Sequence, residues 1–336
     1  MYKIIIVGLV NISVIMRIPV LFISFNRPDH VKRVLRVIMA AQPQNLYVFQ
    51  DGARDNNTDD VKKCAEVRRV IEELVLGEET NLHTYYSEHN LGCGPGPATA
   101  INWFFEKEEM GIVIEDDAIP HPDFFPYCEE LLMKYKTDDE VMAIGSMHFG
   151  ENVYGDGSYY FSMMNRTLCA WATWRRAWQD FDLYHRSVTR SKLNWVLKQY
   201  GCGLRMREYW CERLTEVQQD AYHNSSWDQQ FWISIWLHHG KGIMPNVNLC
   251  TNIGFGAEAT HTFNGHCVVA NIPNSPIMPL KHPADTRISR VADWRFQKEY
   301  FQPWEYGWSG VKRLPFRLNK RLKRLLGHQG SWLKKQ

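Results

Sequence analysis

None of the eight cysteines stands in a Cys-x-x-Cys pair. That absence argues against a zinc ribbon and a thioredoxin-type redox centre, and leaves reduced, mostly buried thiols in a cytosolic protein as the expectation. The chain also lacks a Gly-x-x-x-x-Gly-Lys-Ser/Thr loop and a Gly-x-Gly-x-x-Gly, so neither a P-loop NTPase nor a dinucleotide-binding dehydrogenase is expected. No internal repeat of roughly 20 to 50 residues is visible, which removes solenoids and propellers. Long apolar runs are missing too. Ile4 to Met16 is interrupted by Asn11 and Ser13 and closed by Arg17, short of the roughly 20 residues that span a bilayer. No small-residue cleavage site follows it. Residues 1–17 therefore read as an extra strand or an N-terminal extension, with a membrane segment as the lesser reading.

An excess of charge of one sign is likewise absent. The 39 Lys and Arg against 37 Asp and Glu give a formal +2, a balance that does not suggest a nucleic-acid partner. The sum hides two unlike parts. Residues 306–336 hold nine basic residues and no acid, whereas the rest holds 30 basic against 37 acidic. In the tail, Leu314, Leu318, Leu322, Leu325 and Leu326 recur at helical spacing, which describes a basic amphipathic helix suited to an anionic membrane surface, or a helix docked on the core. With 45% hydrophobic and 23% charged residues over 336 positions, the chain is globular and has material for a sizeable core.

From Ile18 onward short β-rich runs alternate with helical periodicity, the pattern of an α/β fold with a mostly parallel sheet flanked by helices. Strands are expected at Pro19 to Phe25, Leu46 to Gln50, Leu82 to Tyr86, Gly111 to Ile114 and Val141 to Gly145. Asp29 and Thr58 are candidate caps for the helices after the first two strands, and Pro122 to Tyr135 reads as a further helix. Beyond about residue 150 the alternation fades into Trp- and Gly-rich sequence, read as a second, less regular lobe followed by the basic tail.

In open α/β sheets ligands bind beyond the carboxyl ends of the strands. Here three strand ends carry polar groups: Asn26-Arg27, Asp51 and Glu115-Asp116-Asp117. On an extended segment residues 115 and 117 share a face and 116 opposes them. Clustered carboxylates at a strand end are costly without a compensating cation, and a hard divalent ion takes oxygen ligands from one or two of them, with phosphate and water completing its shell. Asn90-Leu-Gly-Cys-Gly-Pro-Gly either lets backbone approach a ligand closely or merely turns the chain. Asp228, in Ser225-Ser-Trp-Asp-Gln-Gln230, either removes a proton from an attacking hydroxyl or caps the helix that follows.

The run Ile114-Glu-Asp-Asp-Ala-Ile-Pro-His-Pro-Asp-Phe-Phe125 resembles the strand, acidic triplet and following helix of GT-A glycosyltransferases, among them the N-acetylglucosaminyltransferase I type of the nucleotide-diphospho-sugar transferase superfamily. The Asn26-Arg27 turn, Gln50-Asp51, Trp227-Asp228 and a Gly-Phe-Gly segment followed by His261 occur in the same order, so the likeness spans roughly residues 19 to 265. It implies a metal-dependent inverting transferase that moves a sugar, N-acetylglucosamine being the first candidate, from a UDP-sugar to a glycan or lipid-linked acceptor. By the same resemblance Asp117 binds Mn²⁺ (or Mg²⁺), Asp116 lies near the ribose, Glu115 near the transferred sugar and Arg27 near the nucleotide or its phosphates. Asp51 accepts a hydrogen bond from the base, Asp228 is the general base, and His261 approaches the diphosphate or metal, unless it is an ordinary surface or core histidine. Trp171 and Trp174 are candidates for sugar stacking or for core packing.

On this reading residues 18–150 form the nucleotide-sugar-binding half, 151–295 the acceptor-binding and catalytic half, and 306–336 the attachment tail of a cytoplasmic enzyme on the inner face of the membrane. Two rivals stand beside it. One is a nucleotidyltransferase that makes a nucleotide-sugar, which would need a basic, glycine-rich loop after the first strand, where Asn26-Arg27-Pro28 stands instead. The other is a non-catalytic glycan-binding or membrane-associated protein on the same fold.

Overall fold

The computed structural model describes residues 16–219, 227–254 and 272–301. The N-terminal apolar run up to residue 15, His261 and the basic tail lie outside them. In chain order the elements begin with β1 (Val20–Ser24), α1 (Pro28–Ala40), β2 (Asn45–Gln50), α2 (Thr58–Val75), β3 (Asn81–Tyr86), α3 (Pro95–Lys107), β4 (Met110–Glu115), β5 (Ala118–Pro120), α4 (Phe124–Lys134) and β6 (Val141–Gly145). There follow β7 (Tyr159–Ser162), β8 (Ala170–Trp174), α5 (Arg175–Trp178), α6 (Arg190–Gln199), α7 (Leu204–Gln218), α8 (Asp228–Leu237), β9 (Lys241–Pro245), β10 (Cys250–Asn252) and α9 (Arg290–Phe296).

One eight-stranded sheet runs β3-β2-β1-β4-β8-β6-β9-β7, and a two-stranded ribbon pairs β5 with β10. β1, β2, β3 and β4 are parallel, as are β6 and β9; β8 and β7 run against their neighbours. The expected mostly parallel α/β sheet is thus present. Apart from the edge strand β3, whose residues are exposed or half-buried, its strands are buried on both faces, which is why β1, β2, β4 and β6 read as continuous apolar runs. In β1, Val20 and Phe22 pack with residues of α1, α2 and α4, while Leu21 and Ile23 pack on the other side with α3 and α8.

The second half is not a lobe apart from this sheet. β8 enters it directly beside β4, with Ile114 opposite Ala170 and Met110 opposite Trp174, and β9 and β7 extend it outward. The segments AWATW, KGIMP and YYFS are short and buried at every position, so no alternation betrayed them. Two caps also differ from expectation. α1 starts after Arg27 with Pro28 in its first turn, a position where the missing N–H of proline leaves nothing unsatisfied; Asp29 sits in the first turn, where it meets the positive end of the helix dipole. The cap of α2 is Asn57, whose side chain accepts from the amides of Asp59 and Asp60. Among the described residues no helix is long and apolar enough to cross a membrane.

Candidate functional site

β1 and β4 are adjacent and in parallel register, Ile23 opposite Glu115, so the turn after β1 and the acidic triplet after β4 emerge side by side. The first is braced from behind. Gln50 Nε2 donates to the carbonyls of Phe25 at 3.0 Å and Cys64 at 2.9 Å. Asn26 Nδ2 donates to the buried Asp60 at 2.7 Å, which also receives Arg54 Nε at 2.5 Å and Nη2 at 2.8 Å. Asn26 is therefore committed to the scaffold and Arg27 is left to face the triplet. Its Nη1 lies 3.3 Å from Asp117 Oδ2 and 3.5 Å from Asp116 Oδ1.

The triplet is not extended throughout. β4 ends at Glu115, and Asp116-Asp117 form the turn into β5. That is why a single guanidinium reaches both aspartates, instead of 116 pointing away from 117 as an extended strand would require. Glu115 keeps the strand alternation and shares the face of Val113, which packs with Trp171, Trp227 and Phe231. α8 covers that face, and Asp228 in its first turn comes close enough for its charge to act on Glu115. Burial, then the charges of Asp117, Asp228 and Asp116, push the Glu115 carboxyl well above the ordinary carboxylate range, with Arg27 opposing. Burial also raises Asp116 to about 6, against the pull of Arg27 and of the Phe25 amide, which donates to Asp116 Oδ2 at 3.3 Å. Although burial works against it, the charges of Asp116, Asp117 and Glu115 hold Arg27 more firmly protonated than usual.

Asp51 has a different occupation from the one expected. Its Oδ1 accepts from the amides of Gly52 at 2.9 Å and Leu91 at 2.8 Å, and its Oδ2 from the amide of Gly92 at 2.9 Å and Asn90 Nδ2 at 3.1 Å. Four donors fill the lone-pair directions of one carboxylate, so in this structure Asp51 clamps the glycine loop to the end of β2 and is not a free acceptor for a base. Burial raises its pKa while the Leu91, Gly92 and Gly52 amides pull it down.

Trp171 and Trp174 are core residues, which corrects the sugar-stacking expectation. Trp171 is fully buried and lies 5.3 Å from Trp227, stacked, and 5.5 Å from Phe231. Trp174 points to the opposite face, 2% exposed, and donates Nε1 to the carbonyl of Leu132 at 3.1 Å. Neither presents a ring face to solvent.

Several residues that the sequence did not single out complete the site. β10 lies antiparallel to β5, Asn252 opposite Ala118, and the Ile253 amide donates to the Asp117 carbonyl at 2.8 Å. Gly254 follows: a Cβ there would fall well inside van der Waals contact distance of Asp117 Oδ2, so a larger residue would push that carboxylate aside. Asn252 accepts from the Gly254 amide at 2.7 Å and donates to Cys169 Sγ at 3.0 Å. Cys169 adopts φ +65° and its carbonyl receives the Glu115 amide at 2.8 Å. Asp123, of the Pro-Asp-Phe-Phe run, accepts from the amides of Ile277 at 2.8 Å and Met278 at 3.0 Å and anchors the returning chain. The glycine at 254, already part of Gly-Phe-Gly, was the one visible signal.

The donor set suits a hard divalent cation. Asp117 Oδ1 is buried and has no hydrogen-bond partner among the described residues, an unsatisfied anionic oxygen of the kind that demands compensation. No cluster of three or more His, Cys, Asp or Glu among the described residues is arranged to hold a metal ion.

No family model matches the chain. It is similar to the solved structure of an apo UDP-glucose pyrophosphorylase, at 10% identity over 68% of this chain and 90% of that one, with a TM-score of 0.35. It is similar also to UDP-glucose pyrophosphorylase complexed with UDP-glucose, at 11% identity over 49% of this chain and 78% of that one, TM-score 0.32. A third similar structure is HddC from Yersinia pseudotuberculosis, at 9% identity over 49% of this chain and 80% of that one, TM-score 0.29. Likenesses of this depth carry no argument about chemistry, which rests on the side chains described above.

Proposed function

We propose that the chain is a divalent-cation-dependent glycosyltransferase of the GT-A kind that takes a sugar from a UDP-sugar, with a glycan or lipid-linked saccharide as acceptor and inversion at the transferred carbon. The observation that carries the reading is the meeting of three carboxylates, Glu115, Asp116 and Asp117, with the Arg27 guanidinium at the carboxyl ends of β1 and β4, and Asp228 of α8 close enough to act on Glu115. Asp117, with its unpartnered Oδ1, would hold Mn²⁺ or Mg²⁺, which when bound supplies charge neutralisation for the leaving diphosphate. Arg27 orients the phosphates. Asp116, tied to the Phe25 amide, faces the nucleoside side.

Asp228 is the proposed general base. Inversion requires a carboxylate on the face of the sugar opposite the leaving group, where it takes the acceptor hydroxyl's proton. Its place in the first turn of α8, on the Glu115 face of the sheet, supports this, and a dipole contribution to helix stability is compatible with it. Glu115, on the same face as Asp228, lies on the side of the transferred sugar.

The second reading is a nucleotidyltransferase, the kind of activity that UDP-glucose pyrophosphorylase names among the similar structures. Against it stands the turn after β1, where Asn26 is spent on Asp60 and Pro28 has no N–H to offer a triphosphate. Incubation with UDP-N-acetylglucosamine and other UDP-sugars, with and without Mn²⁺, for wild type and Asp117→Ala, tests the main reading. Metal-dependent release of UDP that Asp117→Ala abolishes is expected. Pyrophosphate release from UTP plus a sugar 1-phosphate, with no UDP release from any UDP-sugar, would establish the second reading in its place.

A further inference from the structure

Arg27 holds one oxygen of the carboxylate whose other oxygen is left for a cation. Its Nη1 is 3.3 Å from Asp117 Oδ2 and 3.5 Å from Asp116 Oδ1, in a setting where 17% of the Arg27 side chain and 18% of that of Asp117 are exposed. The backbone beneath it is fixed: the Arg27 carbonyl accepts from the Val31 amide at 3.0 Å, and Pro28 opens α1. Only the side chain is left to move. A guanidinium fits carboxylate and phosphate oxygens equally well, but one Nη1 cannot serve both at once.

The charges make the order of events asymmetric. Around Arg27 stand Glu115, Asp116 and Asp117, and Asp228 acts in turn on Glu115. A diphosphate arriving alone meets those carboxylates with one guanidinium to offset them. A divalent cation arriving alone is drawn to the carboxylates but must share Asp117 with Arg27. Each ligand therefore lacks what the other would release or supply.

This inference rests on the nucleotide-sugar reading above. We propose that Arg27 is the exchange element that couples cation and donor binding: it pairs with Asp116 and Asp117 in the unliganded protein, gives up Asp117 to a divalent cation, and transfers to the donor's diphosphate oxygens. The coupling is reciprocal, so the factor by which Mn²⁺ tightens UDP is the factor by which UDP tightens Mn²⁺.

The test is calorimetric titration of the full chain with Mn²⁺ and with UDP, each in the presence and absence of the other, for wild type, Arg27→Gln and Arg27→Lys. In wild type each ligand is expected to tighten the other by about tenfold or more. In Arg27→Gln, Mn²⁺ alone binds severalfold tighter than in wild type, UDP in saturating Mn²⁺ binds about tenfold weaker, and the coupling factor falls below that of wild type, to what direct attraction between cation and phosphate supplies. Arg27→Lys, which keeps the charge but not the fork, lies between, and it carries the comparison should Arg27→Gln fail to give a folded circular-dichroism spectrum. Arg27→Gln with unchanged Mn²⁺ affinity, or with wild-type coupling, overturns the exchange, as does wild type that binds both ligands without mutual effect. Wild type that binds neither Mn²⁺ nor UDP overturns the nucleotide-sugar reading itself.

Discussion

The Leu91 amide donates to Asp51 Oδ1 at 2.8 Å while the Gly92 amide takes the other oxygen at 2.9 Å, so one strand-end carboxylate holds two successive residues of the glycine loop. Asp51→Asn replaces one acceptor oxygen with a donor and leaves at least one of these amides opposed by N–H. The variant should lose about 1–3 kcal/mol of stability in urea unfolding and weaken UDP binding through a loosened loop. Faster hydrogen exchange at Leu91 and Gly92, with the rest of the sheet unchanged, would mark the effect as local. Wild-type exchange at both amides would show that the clamp is dispensable.

Gly254 gives a sharper test of the cleft. An alanine methyl there must displace Asp117 Oδ2, the oxygen that meets Arg27. A displacement of about 1 Å at a reacting constellation costs on the order of 100-fold in rate, so Gly254→Ala should lower metal-dependent UDP release by that order while changing the melting temperature little. Undiminished activity would mean that the Asp117 position seen here is not the working one.

Asp228→Asn separates base from helix support. Removal of a general base lowers turnover by roughly 100- to 10,000-fold, whereas loss of a first-turn charge costs about 0.3–1 kcal/mol of stability. The expected outcome is a large fall in kcat for glycosyl transfer with UDP affinity retained. A purely structural role would show only the small stability change.

Trp171 predicts a stability phenotype. With its ring fully buried against Trp227 and Phe231, Trp171→Ala should cost about 3–5 kcal/mol in chemical unfolding. A folded variant with altered KM for a saccharide acceptor and wild-type stability would restore the sugar-stacking role.

Asp293 supplies a pH dependence remote from the cleft. It accepts from Ser162 Oγ at 2.5 Å and from the Met163 amide at 3.2 Å, and burial pushes it up from 3.8 to about 6. In the unfolded chain this carboxyl gives up its proton near 3.8; in the fold it keeps the proton to about 6. Between those values unfolding releases a proton, so rising pH favours unfolding, with a slope of up to about 1.4 kcal/mol per pH unit from this group. The stability difference between wild type and Asp293→Asn, followed by urea unfolding from pH 4 to 7, should shift against wild type as pH rises. A pH-independent difference would mean the carboxyl titrates normally in the fold.

The first half of the sheet was legible because its strands are bounded by caps, turns and amphipathic helices, and because three polar groups stood where three buried runs stop. The meeting of Arg27 with the triplet follows from the parallel register of β1 and β4, and Asp228 could be suspected from its residue type. What the residues could not reveal was allocation. An aspartate after a strand has the same letter whether it clamps a loop, as Asp51 does, or faces a ligand; neighbours distant in sequence decide. Trp171 and Trp174 were ambiguous for the same reason, since indole serves core and sugar equally until burial is known. β8 and β9 escaped because AWATW and KGIMP, though buried throughout, mix small, polar and proline residues where β1 and β6 carry aliphatic runs.

The antiparallel ribbon of β5 with β10 bears on how the protein is made. Residues 118–120 must wait for 250–252, and the entropy of closing so long a loop is met only when both strands exist. Synthesis proceeds from the N-terminus at about 5–20 residues per second, so a nascent chain displays Arg27 and the acidic turn for several seconds before Asn252 and Gly254 arrive to cover them. During that interval the turn has neither its cover nor β10's backbone bonds, and a polypeptide released before β10 would carry the carboxylates of the triplet without a centre that holds them in place.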